Sequence, residues 1–180
     1  MLPVLTVTLP VQNAMPYLIK AVESILSQTY EDFEFIVIDD GSTDESLKYL
    51  NSIDDIRLKV ISQSNAGLGK TLNRLVSISG GKYIARMDAD DVCQSDRLLK
   101  QVEYMDINPD VVMLGAGISF LHENSTWNGG PPLLSHDAIV SRFKKKKFGV
   151  CHPSIMFKKE SFNQVGGYKI KGAGEDLDFF

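Results

Sequence analysis

Short apolar runs alternate along the chain with amphipathic stretches. Val4–Leu9 (VLTVTL), Phe33–Asp39 (FEFIVID), Arg57–Ser62 (RLKVIS) and the run KYIARM at 82–87 are rich in branched and aromatic residues, which predicts β-strands. Between them, Pro16–Gln28 sets Leu18, Val22, Ile25 and Leu26 on one helical face. STDESLKYLNSI predicts a helix capped by Thr43 or Asp44. Leu68–Ser79 predicts a third helix, and Asp96–Asn108 a fourth, with Leu98, Leu99, Val102 and Met105 along one side. DVVMLGAGISF predicts a fifth strand. After Phe120 the pattern weakens: HENSTWNGGPP reads as a polar loop, SHDAIVSRF as a short helix, CHPSIMF as a strand, and KKESFNQVGGY as a short helix ending at Gly166–Gly167. This order predicts an α/β fold, a mostly parallel central sheet with helices on both faces. Residues 1–180 read as a single domain, regular over 1–120 and irregular over 121–180.

In open parallel sheets, ligands bind beyond the carboxyl ends of the strands. Here the predicted strands end in PVQN, DDGS, QSNAG and DADD. Polar endings along one edge describe a cleft for a polar, phosphorylated ligand.

The ending DADD raises a question of charge, because Asp88, Asp90 and Asp91 repel one another if they share a surface. In an extended segment residues i and i+2 point the same way, so Asp88 and Asp90 are expected to face one site with Asp91 turned away. Hard cations such as Mg²⁺ or Mn²⁺ favour such carboxylates. Solvated aspartates capping the helix near Asp96 are the competing reading, and the spacing alone does not choose between them. An EF-hand is excluded, since its Gly and later Glu are absent.

AGLGKTLN resembles a P-loop, but the glycine required five positions before Gly69 is Ser64. Lys70, near a helix N-terminus, is a candidate to hold a diphosphate or simply a solvated lysine. EDLDFF, with Glu175, Asp176 and Asp178, offers a general base or a helix N-terminus that favours acid. His152 reads as a satisfied histidine in an apolar setting. Lys144–Lys147 reads as a solvated turn, with weak attraction to anionic lipid as the alternative.

Composition narrows the partners. The 180 residues suffice for one core, and a formal net charge of -4 argues against nucleic acid. No apolar run of roughly 18 residues predicts a membrane span. The N-terminus lacks a basic n-region and a clear cleavage site, so no signal peptide is read. Cys93 and Cys151 form neither a zinc spacing nor a disulfide framework, which suits a reducing cytoplasm.

Taken together, ESILSQTYEDFEFIVIDDGSTDES, NAGLGKTLN, GGKYIARMDADD, HPSIMFKKESFNQVGGY and GEDLDFF resemble family 2 glycosyltransferases, from about Thr6 to Phe180. The resemblance implies a Rossmann-like GT-A fold and inverting transfer of a sugar from a nucleotide-sugar donor, usually a UDP-sugar, with Mn²⁺ or Mg²⁺. It implies that Asp40 accepts the uracil N3–H, with Asp39 supporting the pocket. Asp90 resembles the metal ligand, and Asp88 the residue that meets ribose or sugar and orders the metal site. Asp176 takes the place of the catalytic base. Pro10, Gln12 and Asn13 stand where the family has Pro-x-Tyr-Asn near the base; Gln12 can hydrogen-bond but cannot stack. The implied acceptor is a saccharide or lipid-linked saccharide, at the inner face of the plasma membrane, in cell-envelope polysaccharide synthesis. Such enzymes continue past the base motif, so 121–180 is expected to be the start of an acceptor part cut short. Two rivals are a non-catalytic nucleotide-sugar or glycan-binding domain and a metal-dependent nucleotidyltransferase; LPVQNAMPY has no glycine or basic residue to hold a triphosphate.

Overall fold

The computed structural model describes residues 3–122, 125–130, 133–145, 147 and 149–169, with only the backbone of His122. Four strand–helix units come first: β1 (Leu5–Val11) and α1 (Tyr17–Leu26), β2 (Phe33–Asp40) and α2 (Ser46–Asn51), β3 (Leu58–Gln63) and α3 (Leu68–Ile78), β4 (Tyr83–Arg86) and α4 (Arg97–Ile107). Then follow β5 (Met113–Leu114), β6 (Ser119–His122), β7 (Ser125–Asn128), α5 (His136–Lys144), a single 3₁₀ turn at His152–Ser154, β8 (Met156–Lys158) and α6 (Lys159–Val165). The main sheet runs β3-β2-β1-β4-β8-β5. Strands β1 to β4 are parallel, and β8 lies antiparallel between β4 and β5.

Strand alternation splits the core in two. Val7, Leu9 and Val11 of β1 and Phe35 and Val37 of β2 meet Leu18, Val22 and Ile25 of α1 and Leu98, Val102 and Met105 of α4. On the other face Ile36, Ile38, Ile84 and Phe157 meet Leu72, Leu75 and Val76 of α3 and Phe162 of α6. In the middle of the sheet Thr6 and Thr8 are buried, and both hydroxyls are satisfied. Thr8 Oγ1 donates to Ala85 O; Thr6 Oγ1 donates to Glu34 Oε1 and accepts the N–H of Gly81 at 2.9 Å. That last bond draws backbone against backbone, and a Cβ on Gly81 would sit 2.5 Å from Thr6 N.

The structure departs from the sequence expectations in the second part. The fifth strand pairs only at Met113–Leu114, and the rest of that run feeds a separate two-stranded hairpin. HENSTWNGGPP, expected as a polar loop, supplies β7 of that hairpin. The strand expected over CHPSIMF starts only at Met156, because Pro153 lies within the 3₁₀ turn. Neither expected residue is the cap of α2: Glu45 takes that place without a side-chain bond, and Asp44, one residue earlier, accepts Ser46 N–H at 3.0 Å.

Because Gly81 abuts rigid backbone, Gly81→Ala is expected to destabilise the fold by about 3 kcal/mol through overpacking. Urea denaturation checks this; a midpoint equal to wild type would show that β1 and the 79–82 turn can separate freely.

Candidate functional site

The parallel topology brings the loops after β1, β2, β3 and β4 to one edge. Pro10 marks how that edge opens. The carbonyls of Val4 and Thr8 accept from Tyr83 and Met87, so even-numbered β1 residues address β4. Strand β4 ends at Arg86, opposite Thr8, so the N–H that Pro10 lacks would have had no strand to meet. Gln12 lies exposed just past the end of β1.

Asn13 does structural work. It holds a left-handed φ of 50°, which asparagine tolerates better than most residues. Its Oδ1 accepts Thr43 N–H at 2.7 Å and Asp44 N–H at 3.3 Å, while its own N–H donates to Ser42 Oγ. In return Asp44 Oδ2 accepts Met15 N–H, and Ser46 Oγ accepts Ala14 N–H. These bonds lock the β1–α1 loop to the β2–α2 loop. An open concavity of about 550 Å³ flanks that lock along Ser42, Thr43, Asp44 and Lys48, but Asp39, Asp40, Asp88, Asp90 and Asp91 do not line it. Placement by chemistry therefore outweighs placement by volume.

Asp39 and Asp40 point to opposite faces of β2. Asp40 is 4% exposed and its carboxylate is fully engaged: Oδ1 accepts from Gln63 Nε2 at 2.6 Å and Ala66 N at 2.8 Å, and Oδ2 from Gly67 N at 3.0 Å. Burial pushes this carboxyl up, but bonds from Gln63, Ala66, Gly67 and Thr71 together hold it below the ordinary range. Asp39 is 1% exposed; its Oδ2 meets Ser62 Oγ at 3.3 Å, and its Oδ1 has no partner among the described residues. The open acceptor thus lies on Asp39, whereas the resemblance had placed the nucleobase contact on Asp40.

The acidic ending of β4 is a turn. Asp91 N–H donates to Asp88 O at 3.3 Å, so the segment folds back and all three aspartates come together. One carboxylate oxygen from each of Asp88, Asp90 and Asp91 lies within 4.8 Å of the others. The expectation that Asp91 turns away fails because i and i+3 of a turn converge, unlike those of a strand. Arg86 was not anticipated. It is 2% exposed, and its Nη2 and Nη1 reach the two Asp88 oxygens at 2.7 and 3.2 Å. The signal was a charge inside YIARM, two residues before Asp88 and so on the same side. Crowding around its carboxyl, then the charges of Asp88 and Asp90, push Asp91 up. The donor set fits a hard divalent cation: clustered carboxylate oxygens with a single buried arginine against three acids. Asp90 and Asp91 would hold it, beside an Asp88 already oriented by Arg86.

Lys70 is exposed in the first turn of α3. Its neighbour Thr71 is buried and accepts from Gln63 Nε2 at 2.9 Å, so GKT forms no phosphate cradle. His152 is 7% exposed and its Nε2 lies 2.8 Å from Tyr168 Oη. Burial, then the charge of Arg86, lowers its pKa to about 3. Asp176, with Glu175 and Asp178, lies outside the described residues, as does Lys146 of the lysine run. No helix among the described residues is long and apolar enough to cross a membrane.

A family model described as "Glycosyl transferase family 2" matches residues 6–166. The chain is 33% identical over 183 aligned residues to the O-antigen biosynthesis glycosyltransferase WbnJ of Escherichia coli, covering 99% of this chain and 71% of that protein. It is 32% identical to the uncharacterized glycosyltransferase MJ1057 of Methanocaldococcus jannaschii, covering 91% of this chain and 58% of that one. Another uncharacterized glycosyltransferase, from Haemophilus influenzae, is 39% identical, and the match spans 67% of this chain but 38% of that one. Among solved structures, Staphylococcus aureus TarS 1–349 in complex with UDP-GlcNAc superposes with a TM-score of 0.74 at 19% identity, over 97% of this chain and 52% of that one. The mannosyltransferase PcManGT of Pyrobaculum calidifontis, in complex with GDP-Man and Mn²⁺, gives 0.70 at 20% identity, over 98% of this chain and 50% of that one. The chain therefore spans about half the length of these structures, and they share its fold.

His152 generates a pH prediction. An unfolded histidine titrates near 6.5, the folded one near 3. Between those values only the unfolded chain takes the proton, so the contribution is full above about pH 6.5 and is lost as pH falls toward about 3. His152→Gln is expected to flatten the fall in urea midpoint between about pH 7.5 and about pH 4.5. An unaltered fall in the variant would assign the acid sensitivity to other groups.

Proposed function

The chain belongs to glycosyl transferase family 2, and from that premise we propose that it transfers a sugar, with inversion, from a UDP-sugar to an acceptor hydroxyl in polysaccharide or glycolipid synthesis. The observation that carries this reading is the unpartnered, buried Oδ1 of Asp39 on the sheet edge that also carries the three-carboxylate turn. A buried acceptor without a donor costs about 1–3 kcal/mol unless a ligand supplies the donor. Uracil N3–H is such a donor, and so is guanine N1–H; cytosine N3 has no hydrogen to give. The chemistry of the edge supports a nucleotide whose base lies at Asp39 and whose diphosphate lies toward Asp90 and Asp91.

In the proposed mechanism, the end of β2 fixes the base through Asp39, and Asp88, oriented by Arg86, meets the ribose or donor sugar. Lys70 stands in the first turn of α3 as a cation for the diphosphate. Mn²⁺ or Mg²⁺ bound at Asp90 and Asp91 would supply positive charge for the diphosphate as it departs. Asp176, assigned by the family motif, takes the proton of the acceptor hydroxyl. The freed oxygen forms its bond to the anomeric carbon from the face opposite the nucleoside diphosphate, and the bond to the diphosphate breaks with its electron pair. The acceptor is a saccharide or a lipid-linked saccharide, met at a membrane surface.

Calorimetry with UDP, GDP and CDP tests the reading. UDP is expected to bind, CDP far less, and binding is expected to need Mn²⁺ or Mg²⁺ and to fail in Asp90→Ala. Equal UDP affinity in excess chelator would remove the cation from the site. Asp39→Asn is expected to weaken UDP by about 1–3 kcal/mol without loss of fold stability, because Oδ1 makes no bond within the described residues that the substitution would break. Asp40→Asn, by contrast, is expected to lower stability by about 1–3 kcal/mol, because its single amide oxygen cannot accept from both Ala66 and Gly67 and its NH₂ faces a donor. Were Asp40→Asn to lose UDP binding with its melting temperature unchanged while Asp39→Asn bound normally, the base contact would return to Asp40.

A further inference from the structure

Phe120 and Trp127 form a stacked pair that the proposed reaction leaves without a role. They stand directly opposite each other in the β6–β7 ladder, with ring centroids 6.0 Å apart and planes at 29°. Buried aromatic pairs are ordinary core, but these rings are 49% and 51% exposed. A lone two-stranded hairpin is marginal in water, and a half-bare aromatic pair on it marks a surface that something covers.

Topology says where that surface lies. Strand β8 is antiparallel to both β4 and β5, so β5 runs parallel to β4 and releases its chain at the same edge of the sheet as the Asp88 turn. Two strand spacings separate β4 from β5, about 10 Å. The hairpin's root is then tied inward: Ala116 N–H donates to Ser154 Oγ at 3.0 Å, and Ser154 belongs to the same 3₁₀ turn as His152. That turn abuts β4, where Arg86 N–H donates to Ile155 O at 2.9 Å. The aromatic pair therefore springs from the flank of the cleft opposite to β2, where Asp39 would hold the nucleobase.

The chemistry of the hairpin selects the occupant. Alternation places Ser125 on the face of Phe120 and Trp127, with Ser119, Thr126 and Asn128 on the reverse. Ser119, Phe120, Leu121, Ser125, Thr126, Trp127 and Asn128 carry no charge, and the one ionised residue between the strands in sequence, Glu123, is negative. Among these described side chains an anionic lipid surface finds no cation. A neutral pyranose presents a flat C–H face that stacks on aromatic rings, and hydroxyls that suit Ser125. We propose that Phe120 and Trp127 form a stacking platform for the acceptor saccharide. The role as acceptor rests on the transferase reading above; the platform's affinity for saccharide does not.

Trp127 is the only tryptophan of the chain, so its fluorescence reports the platform directly. The intact protein is titrated with neutral di- to tetrasaccharides of glucose, galactose and N-acetylglucosamine, and separately with phosphatidylglycerol vesicles; UDP is titrated by calorimetry. A saturable change in Trp127 emission with at least one saccharide is expected. By calorimetry that saccharide should bind about tenfold more weakly to Trp127→Ala and to Phe120→Ala. Trp127→Phe should stay within about threefold, and UDP affinity and melting temperature should not move. Silence of Trp127 toward every saccharide, undiminished binding by Trp127→Ala, or an emission shift caused only by vesicles would each overturn the platform. Failure of UDP binding with saccharide binding intact would instead overturn the transferase reading and leave the platform standing.

Discussion

Asp40 binds the backbone N–H groups of Ala66 and Gly67 and the amide of Gln63, and these bonds decide where the β3–α3 loop runs. Burying a carboxylate is costly unless it is well bonded. Three donors, together with the positive N-terminal end of α3, offset that cost here. The neighbouring Gly41 shows how tightly the loop is drawn in. Its φ is +76°, and a Cβ there would meet Asn65 N at 2.9 Å. The same logic governs the next loop pair, where Asn13 Oδ1 accepts the N–H groups of Thr43 and Asp44 and Asp44 Oδ2 accepts that of Met15. In a parallel sheet the loops at the carboxyl edge have no strand partner, and side chains must satisfy their N–H groups. Asp40 and Asn13 do this, and so both are occupied before any ligand arrives.

That occupation explains why adjacent aspartates do different things. Pleating sends Asp39 to the α1 and α4 face and Asp40 to the α3 face. The α3 face supplies donors and consumes one carboxylate. The opposite face supplies only Ser62 Oγ, which leaves an oxygen unmatched. A comparable division runs through the β4 turn. Arg86 neutralises Asp88 from beneath, in a pair whose arginine is 3% and whose aspartate is 33% exposed. Asp90 and Asp91 lie exposed at the mouth, where a cation can reach them.

Most of the first 110 residues was legible in the sequence, because strand and helix periods there are clean and each strand ends in a distinctive polar group. The family and the GT-A fold followed from a resemblance carried by several spaced motifs, of which those endings are part. What failed was local geometry. Asp88–Asp91 was read with the period of a strand, yet the chain turns at Ala89–Asp90, and no pattern of apolar residues could reveal an i to i+3 bond. Adjacent acids in DDGS look equivalent as letters; only the donors contributed by the β3–α3 loop separate them. The β6–β7 hairpin was missed because its strands are short and polar, and STWN between asparagine and glycine has the composition of a loop. Asp176 was found only by its motif and lies outside the described residues.

The 3₁₀ turn at His152–Ser154 joins the two halves of the cleft, and its bonds show how. Ser154 Oγ receives Ala116 N–H from the hairpin root, while Ser154 O accepts from Gln101 Nε2 of α4 at 2.9 Å. One residue on, Ile155 O accepts from Arg86 N–H, and Arg97 of α4 bonds the carbonyl of Arg86 at 2.8 Å. Arg86 in turn orients Asp88. A continuous set of backbone and side-chain bonds therefore runs from the aromatic hairpin through Ser154 and Arg86 to the acidic turn. His152 sits within it, buried and uncharged. Were it protonated, a second positive charge would press on Arg86 from inside the core, so burial and Arg86 jointly keep the imidazole neutral. Burial and Arg86 thus hold a neutral imidazole inside the set of bonds that joins the hairpin root to the acidic turn.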